Sequence, residues 1–152
     1  MSDQRPQLGF EDLVPGQVYE TGPLEVTAEE ITAFALRYDP QPFHVDAAVG
    51  KLSVFGGQIA SGWMTAGLTM RLMVTSRFGF GPGAIGLGVE SLRWPRPVRP
   101  GDTLSVKVEI LAARSSRSKP THGIVKMRTT TTNQHGEPVQ VMVSTVLVAR
   151  RG

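Results

Sequence analysis

Two side chains of the kind that exchange protons in catalysis lie close together in the sequence, Asp39 and His44. The segment between them contains Pro40 and Pro42. Proline removes a backbone donor, restricts φ and pushes the residue before it towards extended geometry. We therefore predict a short, rigid, non-helical segment that holds a carboxylate and an imidazole over one small target, as acid–base chemistry requires. The alternative is a proline-rich surface loop that happens to contain a histidine.

A helix is predicted to place Asp39 at its C-terminal end. Thr27 offers a hydroxyl for the N-cap and Glu30 follows three residues later, which is the capping-box pattern. Apolar residues then recur with helical spacing on one face as far as Tyr38. Because Pro40 follows, the helix should end at about residue 38.

A second, longer helix is predicted beyond the proline-rich segment. Asp46 first caps a single turn that ends at Gly50, and a glycine-rich stretch then leads to Ser61, a strong N-cap residue. The helix should run over residues 62–77. It is apolar on nearly every face, with Arg71 as the only charge before its end. A helix of this kind is normally buried, so we expect the rest of the chain to wrap around it.

The remainder of the chain is typical of β-strands. Residues 103–112 alternate apolar and polar side chains with a period of two. Short turns, including residues 133–138, predict an antiparallel sheet. The predicted strands are residues 17–19, 85–94, 103–112, 123–132 and 139–149. Together with the apolar helix they predict an α+β domain in which the sheet wraps the helix.

Composition limits the classes of protein that remain. The 152 residues suit one domain, which we place at residues 10–152 behind a flexible N-terminus of residues 1–9. The absence of cysteine favours a reducing cytoplasm, and neither a signal peptide nor a membrane span is expected. The net charge of +3 permits an anionic ligand. Nucleic acid is disfavoured, because no helix carries a run of Lys or Arg.

Three segments in this order resemble the MaoC-like, or (R)-specific enoyl-CoA hydratase, family of hot-dog-fold dehydratases. They are DPQPFHVD at residues 39–46, FGGQIASG at residues 55–62 and RPVRPGD at residues 96–102. The resemblance implies a hot-dog fold, in which an antiparallel sheet wraps a long central helix. It also implies a homodimer or a dimer of dimers, formed by edge-to-edge pairing of sheets. Two positions depart from the family pattern, Gln41 in place of Asn and Ser61 in place of a frequent His.

The resemblance also assigns roles to residues. It implies that Asp39 and His44 are the catalytic pair and that the backbone N–H of Gly62 binds the thioester oxygen. A first-turn position suits that role, since its N–H has no intrahelical partner and the helix dipole is positive there. The implied reaction is hydration of a trans-2-enoyl-CoA, or the reverse dehydration. The division of acid and base roles between Asp39 and His44 stays open.

Further residues are expected to contact the substrate, with Arg side chains meeting the phosphates of coenzyme A. These residues are Phe43, Ser61, Trp63, Arg96 and Arg99. Coenzyme A is needed only as part of the substrate, and no other cofactor is expected. A metal site is not expected either, because the histidines have no ligand spacing. An acyl-CoA thioesterase and a non-catalytic acyl-CoA-binding protein are the alternative functions.

Overall fold

The computed structural model of the protein describes residues 8–76 and 83–151. Within these residues a short 3-10 helix, Phe10–Asp12, precedes the regular elements. The α-helices are α1 Ala28–Tyr38, α2 Pro42–Val45, α3 Ala47–Leu52 and α4 Gly62–Val74. The strands are β1 Val18–Glu25, β2 Ala84–Arg93, β3 Thr103–Ser115, β4 His122–Thr132 and β5 Pro138–Ala149.

The strands form one antiparallel sheet in the order β1-β3-β4-β5-β2. The predicted antiparallel pairing is confirmed, and β4 and β5 are joined by a turn at residues 133–137. The first strand is longer than predicted. It runs over Val18–Glu25 because it continues along the edge of β3, apart from a register shift between Thr21 and Leu24. Both β1 and β2 are edge strands.

One face of the sheet forms the core together with α4. Alternate residues of β3, which point to the same face, are fully buried, as the period of two predicts. The buried side chains of α4 are Met64, Thr65, Thr69, Leu72 and Met73. Helix α1 adds Ile31 and Ala35 to the buried set. The α+β architecture predicted from the sequence is therefore confirmed.

The sheet wraps α4 as predicted, but part of the helix surface is uncovered in the single chain. Trp63, Met70 and Val74 of this helix are each more than half exposed. A single sheet covers only one face of a helix, so the apolar side chains on the opposite face remain uncovered. The helix also ends at Val74, earlier than predicted, and residue 77 lies outside the described residues.

The prediction for α1 is confirmed, with Thr27 as N-cap and Tyr38 as the last residue. Thr27 Oγ1 accepts a hydrogen bond of 3.2 Å from the Glu30 N–H. The prediction that the next segment is non-helical is wrong, because Pro42–Val45 forms one helical turn. Pro42 is its first residue, where a helix tolerates proline because that N–H would have no intrahelical partner.

Helix α3 begins as predicted, with Asp46 Oδ1 accepting hydrogen bonds from the N–H groups of Ala48 and Val49. It does not end at Gly50, however, but continues to Leu52. Gly50 serves packing instead, since a Cβ at this position would lie 2.7 Å from the backbone of Gln58. The glycine-rich stretch therefore passes directly over α3.

The start of the chain can be described from residue 8 onwards. Leu8 packs against the core, and the Gly9 N–H donates to Asp12 Oδ2 at 2.9 Å. The predicted flexibility of residues 1–7 falls outside the described residues and stays a prediction. None of the helices in the described part of the chain is long and apolar enough to cross a membrane.

Candidate active site

The junction between α1 and α2 brings Asp39 and His44 together. Asp39 is the C-cap of α1, where its N–H donates to the Ala35 carbonyl at 2.8 Å. His44 lies on the single turn of α2. The chain reverses between these two residues, and Asp39 Oδ2 lies 3.3 Å from His44 Nε2. A carboxylate and an imidazole at this separation can both contact one small molecule such as water.

The orientation of the His44 ring is fixed by a backbone carbonyl. His44 Nδ1 lies 2.7 Å from the Ile59 carbonyl oxygen, and the side chain is buried. Because a carbonyl oxygen only accepts hydrogen bonds, Nδ1 must carry a hydrogen. Nε2 is therefore the nitrogen that can gain or lose a proton, and it is the one that faces Asp39. The Phe43 ring packs edge-on against the imidazole, with ring centroids 4.5 Å apart.

Gln58 supports the turn that carries His44, a role that the sequence reasoning missed. Its Nε2 donates to the His44 carbonyl at 2.6 Å and to Thr32 Oγ1 at 2.9 Å. The Gln58 side chain is buried, and its bond to the His44 carbonyl is buried too, whereas its bond to Thr32 is partly exposed. A buried amide within a glycine-rich stretch was the available signal, but its partners could not be read from spacing.

Asp39 accepts hydrogen bonds from two side chains. Gln41 Nε2 donates to Asp39 Oδ1 at 2.7 Å, and the Ser61 hydroxyl also donates to this carboxylate. The Gln41 bond is the main cause that holds the pKa of Asp39 below its ordinary value, with Ser61 and the nearby His44 adding to it. Partial burial acts in the opposite direction and is outweighed. Asp39 is therefore ionised at neutral pH.

A cavity of about 350 Å³ opens beside His44. Its wall combines the α2 turn that carries His44, the start of α4 and the segment that follows β2, and Asp39 is not among the lining residues. The lining residues are Phe43, His44, Phe55, Ile59, Ala60, Gly62, Thr65, Trp94, Pro95, Arg96, Pro97 and Val98. The lining is mainly apolar, with a few polar groups near the imidazole, which is the usual character of a site for a small organic ligand.

Gly62 is the first residue of α4 and lines this cavity. Ser61 caps the helix by accepting a hydrogen bond of 3.3 Å from the Trp63 N–H. The position of Gly62 requires glycine for a reason that the sequence did not reveal. A Cβ on Gly62 would lie 2.5 Å from Cε2 of the Trp94 indole. Close packing of Trp94 on the helix therefore excludes a side chain here.

The other residues predicted to contact substrate are divided between the cavity and its surroundings. Phe43 and Arg96 line the cavity, and Arg96 Nη1 also lies 3.1 Å from Glu137 Oε2. Ser61, Trp63 and Arg99 are not among the lining residues. Ser61 is fully buried under Asp39, and Trp63 points to the exposed side of α4.

Arg99 makes a contact within the protein, and its predicted substrate contact stays a prediction. Its Nη2 donates to the Phe55 carbonyl at 2.6 Å, which ties the β2–β3 connection to the glycine-rich stretch. This contact uses part of the guanidinium that was expected to meet a phosphate. Among residues 8–76 and 83–151, no group of three or more His, Cys, Asp or Glu side chains is arranged to hold a metal ion.

Comparison with known proteins places this site in a family. The family model described as MaoC like domain matches residues 11–133. An (R)-specific enoyl-CoA hydratase from Rhodospirillum rubrum is 33% identical over 94% of this chain and 93% of its own length. The Bacillus subtilis protein YdeM is 32% identical over 93% of this chain and 99% of its own length.

A solved structure extends the similarity to the fold. The crystal structure of a MaoC-like dehydratase from Rhodospirillum rubrum matches with a TM-score of 0.90 and 46% identity. The match covers 95% of this chain and 99% of that one. The chain therefore belongs to the MaoC-like dehydratase family and has the hot-dog fold, as the three sequence segments predicted.

Proposed function

We propose that this protein adds water to trans-2-enoyl-CoA thioesters to give (R)-3-hydroxyacyl-CoA, or catalyses the reverse dehydration. The observation that carries the proposal is the 3.3 Å approach of Asp39 Oδ2 to His44 Nε2 at the edge of a mainly apolar cavity. Membership of the MaoC-like family and similarity to a protein named (R)-specific enoyl-CoA hydratase support it. The thioester of coenzyme A is part of the substrate, and the reaction needs no further cofactor.

In this mechanism the substrate carbonyl would accept a hydrogen bond from the Gly62 N–H. Gly62 is the first residue of α4, so its N–H has no intrahelical partner and lies at the positive end of the helix dipole. Negative charge develops on the thioester oxygen when water attacks the β-carbon, because an enolate forms. A donor aimed at that oxygen lowers the energy of the transition state more than that of the bound substrate.

One water molecule would lie beside the pair, within hydrogen-bond distance of both Asp39 Oδ2 and His44 Nε2. Asp39 is ionised, because its hydrogen bonds lower its pKa, and it keeps 19% of its side-chain surface exposed. We assign Asp39 as the base that takes a proton from this water. His44 would act as the acid in its imidazolium form, with hydrogens on both Nδ1 and Nε2, and would give the Nε2 hydrogen to the α-carbon. The oxygen of the water would form the new bond to the β-carbon while the π electrons of the double bond move onto the thioester as the enolate. The enolate electrons would then form the new α-carbon–hydrogen bond, which leaves Asp39 protonated and His44 neutral.

The remaining contacts of the substrate follow from the cavity lining. Phe43 supplies an apolar surface next to the imidazole. Arg96 lies at the cavity and its side chain is 58% exposed beside Glu137, so it is the cation that we assign to the phosphates of coenzyme A. Ser61 supports catalysis by its hydrogen bond to Asp39, without contact to substrate. Trp63 and Arg99 are not assigned a substrate contact.

Product identification tests the proposed function against its alternatives. The purified protein is incubated with crotonyl-CoA and, separately, with butyryl-CoA. The products are separated by chromatography and their molecular masses are measured. We expect crotonyl-CoA to gain one water and yield the (R) enantiomer of 3-hydroxybutyryl-CoA, with butyryl-CoA unchanged. Release of free coenzyme A from butyryl-CoA would identify a thioesterase instead. Binding without any product, over a range of enoyl chain lengths, would identify a non-catalytic protein.

We further propose that two copies associate through β2 and the uncovered face of α4. Ile85, Leu87 and Val89 of the edge strand β2 are each more than half exposed, and so are the three apolar residues of α4 described above. An exposed apolar edge strand is a site for pairing with another chain. Light scattering at micromolar concentration should give the mass of a dimer or of a dimer of dimers. A monomer mass would contradict this proposal without affecting the assignment of the reaction.

A further inference from the structure

The indole of Trp94 lines the cavity next to Gly62. It lies so close to Gly62 that a Cβ there would be 2.5 Å from Cε2 of the ring. Its Nε1–H donates to Gln140 Oε1 at 3.0 Å. On its far side it contacts the edge of Trp63, with ring centroids 5.3 Å apart. The ring is thus fixed by the helix, by a hydrogen bond and by a second indole.

Gln140 belongs to a buried hydrogen-bonded chain that fixes the direction of its amide. Thr69 Oγ1 donates its one hydrogen to the Thr65 carbonyl at 2.9 Å. It must therefore accept from its two other neighbours, Gln140 Nε2 at 3.3 Å and Thr131 Oγ1 at 2.6 Å. Since the Gln140 nitrogen donates to Thr69, its oxygen points to Trp94. Gln140, Thr69 and Thr131 are all fully buried.

This arrangement makes movement of the indole unfavourable. If Trp94, which is 40% exposed, swung away, the amide of the fully buried Gln140 would lose its donor. A buried acceptor without a partner is costly, and the amide cannot rotate to find another without breaking its bond to Thr69. The wall at Trp94 is therefore a fixed boundary of the cavity.

We propose that Trp94, held by Gln140, ends the acyl pocket and restricts the protein to short-chain enoyl-CoA substrates. This inference rests on the proposed function and names the substrate class of the same site. The cavity volume of about 350 Å³ lies near the lower end of the range for ligand sites, about 300 to 1,000 Å³. The acyl chain must share this volume with the thioester and the attacking water. Trp94 is a specificity-determining residue, and Gln140 is its positioning residue.

The test compares kcat/KM for octenoyl-CoA with kcat/KM for crotonyl-CoA. The wild-type protein should prefer crotonyl-CoA, and Trp94→Ala should raise the octenoyl-to-crotonyl ratio by at least about tenfold, since one methylene group in an apolar pocket is worth that much. Leu36→Ala is the control, because it removes an exposed apolar side chain of α1 that does not line the cavity. An unchanged ratio in Trp94→Ala, or an equal rise in Leu36→Ala, would overturn the inference.

The hydrogen bond to Gln140 is tested by two variants that each remove it. Trp94→Phe keeps an aromatic ring without the N–H, and Gln140→Leu keeps the shape of the side chain without the acceptor. Each should raise the octenoyl-to-crotonyl ratio by about two- to fivefold. The double variant should show no larger rise than either single variant, because both changes remove the same hydrogen bond. Independent, additive effects, or none in either variant, would show that Gln140 does not position the indole.

Two further measurements separate the possible causes of failure. If Trp94→Ala does not fold, as judged by circular dichroism, Trp94→Leu replaces it with a smaller loss of volume. Calorimetric titration with butyryl-CoA and octanoyl-CoA reports on the pocket without any turnover. The wild-type protein could be inactive on every enoyl-CoA and still bind butyryl-CoA more tightly than octanoyl-CoA, with this preference lost in the Trp94 variant. That result would refute the proposed reaction and support the inference about the pocket. Equal binding of both chains by the wild type would refute the inference alone.

Discussion

The Gln41 amide donates a hydrogen bond of 2.7 Å from Nε2 to Asp39 Oδ1, which leaves Asp39 Oδ2 directed at His44. The two carboxylate oxygens thus have separate tasks, since one is held by the loop and the other faces the imidazole. Gln41 is the residue that departs from the family pattern in this segment. Its longer side chain still reaches the carboxylate, so the departure preserves support for Asp39.

Replacement of Gln41 by Leu should raise the pKa of Asp39. The Gln41 bond is the main cause that lowers this pKa from 3.8. Burial raises the pKa, and without the Gln41 bond less remains to offset that rise. Activity that needs ionised Asp39 is lost as pH falls through its pKa, so the acid limb of kcat/KM should move to higher pH in Gln41→Leu. The same shift should appear in an NMR titration of the Asp39 carboxyl group. Gln41→Asn tests whether a shorter amide restores the wild-type profile, and an acid limb that stays in place in Gln41→Leu would contradict this role.

The lowered pKa of Asp39 also gives a sign for the pH dependence of stability. A carboxyl group with a lower pKa in the folded state stabilises the protein above its unfolded pKa, and this contribution is lost as pH falls through the folded pKa. Gln41→Leu should therefore unfold at a higher pH than the wild type during acid titration followed by circular dichroism. Equal acid-unfolding midpoints would show that the hydrogen bond does not perturb Asp39 in solution.

Two glycines of α4 should respond in opposite ways to substitution by Ala. Gly62→Ala should lose about 1 to 3 kcal/mol of unfolding free energy, because the new methyl group overlaps the Trp94 indole. Gly67→Ala should gain about 0.5 to 1 kcal/mol, because Gly67 has open space around its Cβ position and Ala favours the helix. Urea denaturation measures both. Equal losses in the two variants would show that helix packing around Gly62 is not as described.

Gln58→Leu should reduce both stability and kcat. The change removes the donor of the buried His44 carbonyl and of the part-buried Thr32 Oγ1, and loss of the buried bond costs about 1 to 3 kcal/mol. Thr32→Val is the informative control, since it removes only the second bond and leaves the His44 turn supported. It should lose some stability and keep kcat within about threefold of the wild type, because the acid–base geometry is intact. A similar fall of kcat in both variants would assign Gln58 a general structural role.

Replacement of Arg96 and replacement of Arg99 should have different effects, because we assign Arg96 to substrate binding and Arg99 to a contact within the protein. Arg96→Ala removes an exposed cation at the cavity and should raise KM for acyl-CoA with a smaller effect on kcat. Arg99→Ala removes the 2.6 Å bond to the Phe55 carbonyl and should lower the melting temperature. Steady-state kinetics and thermal unfolding of both variants check this division. A rise of KM in Arg99→Ala alone would reverse the two assignments.

Local sequence patterns predicted the elements that depend on neighbouring residues. The hydroxyl of Thr27 three residues before Glu30 marked the start of α1, and alternation marked β3. The one-turn helix at Pro42–Val45 was missed because proline was interpreted only as a helix breaker, although its first-turn position is favourable. In the same way, Gly50 was interpreted as a helix end, whereas it allows the Gln58 backbone to approach closely.

The contacts of the site depended on residues that are far apart in the sequence. The segment containing Asp39 and His44 could be singled out from residue types, but the Ile59 carbonyl that fixes the ring could not. The contact of Trp94 with Gly62 and its bond to Gln140 join three separate elements, so no local spacing encodes them. The uncovered face of α4 was also beyond prediction, because an all-round apolar helix does not reveal which chain covers each face.

The most direct measurement is the rate of crotonyl-CoA hydration by Asp39→Asn, followed by absorbance. Asp46→Asn is the matched control, because Asp46 caps α3 through its side chain and Asn is an equally good cap. We predict that Asp39→Asn lowers kcat by about 100- to 10,000-fold, as expected for a positioned acid–base group, and that it still folds and binds butyryl-CoA. Asp46→Asn should retain its rate. Hydration by folded Asp39→Asn at a rate close to that of Asp46→Asn would contradict the assignment of Asp39 and His44 as the catalytic pair.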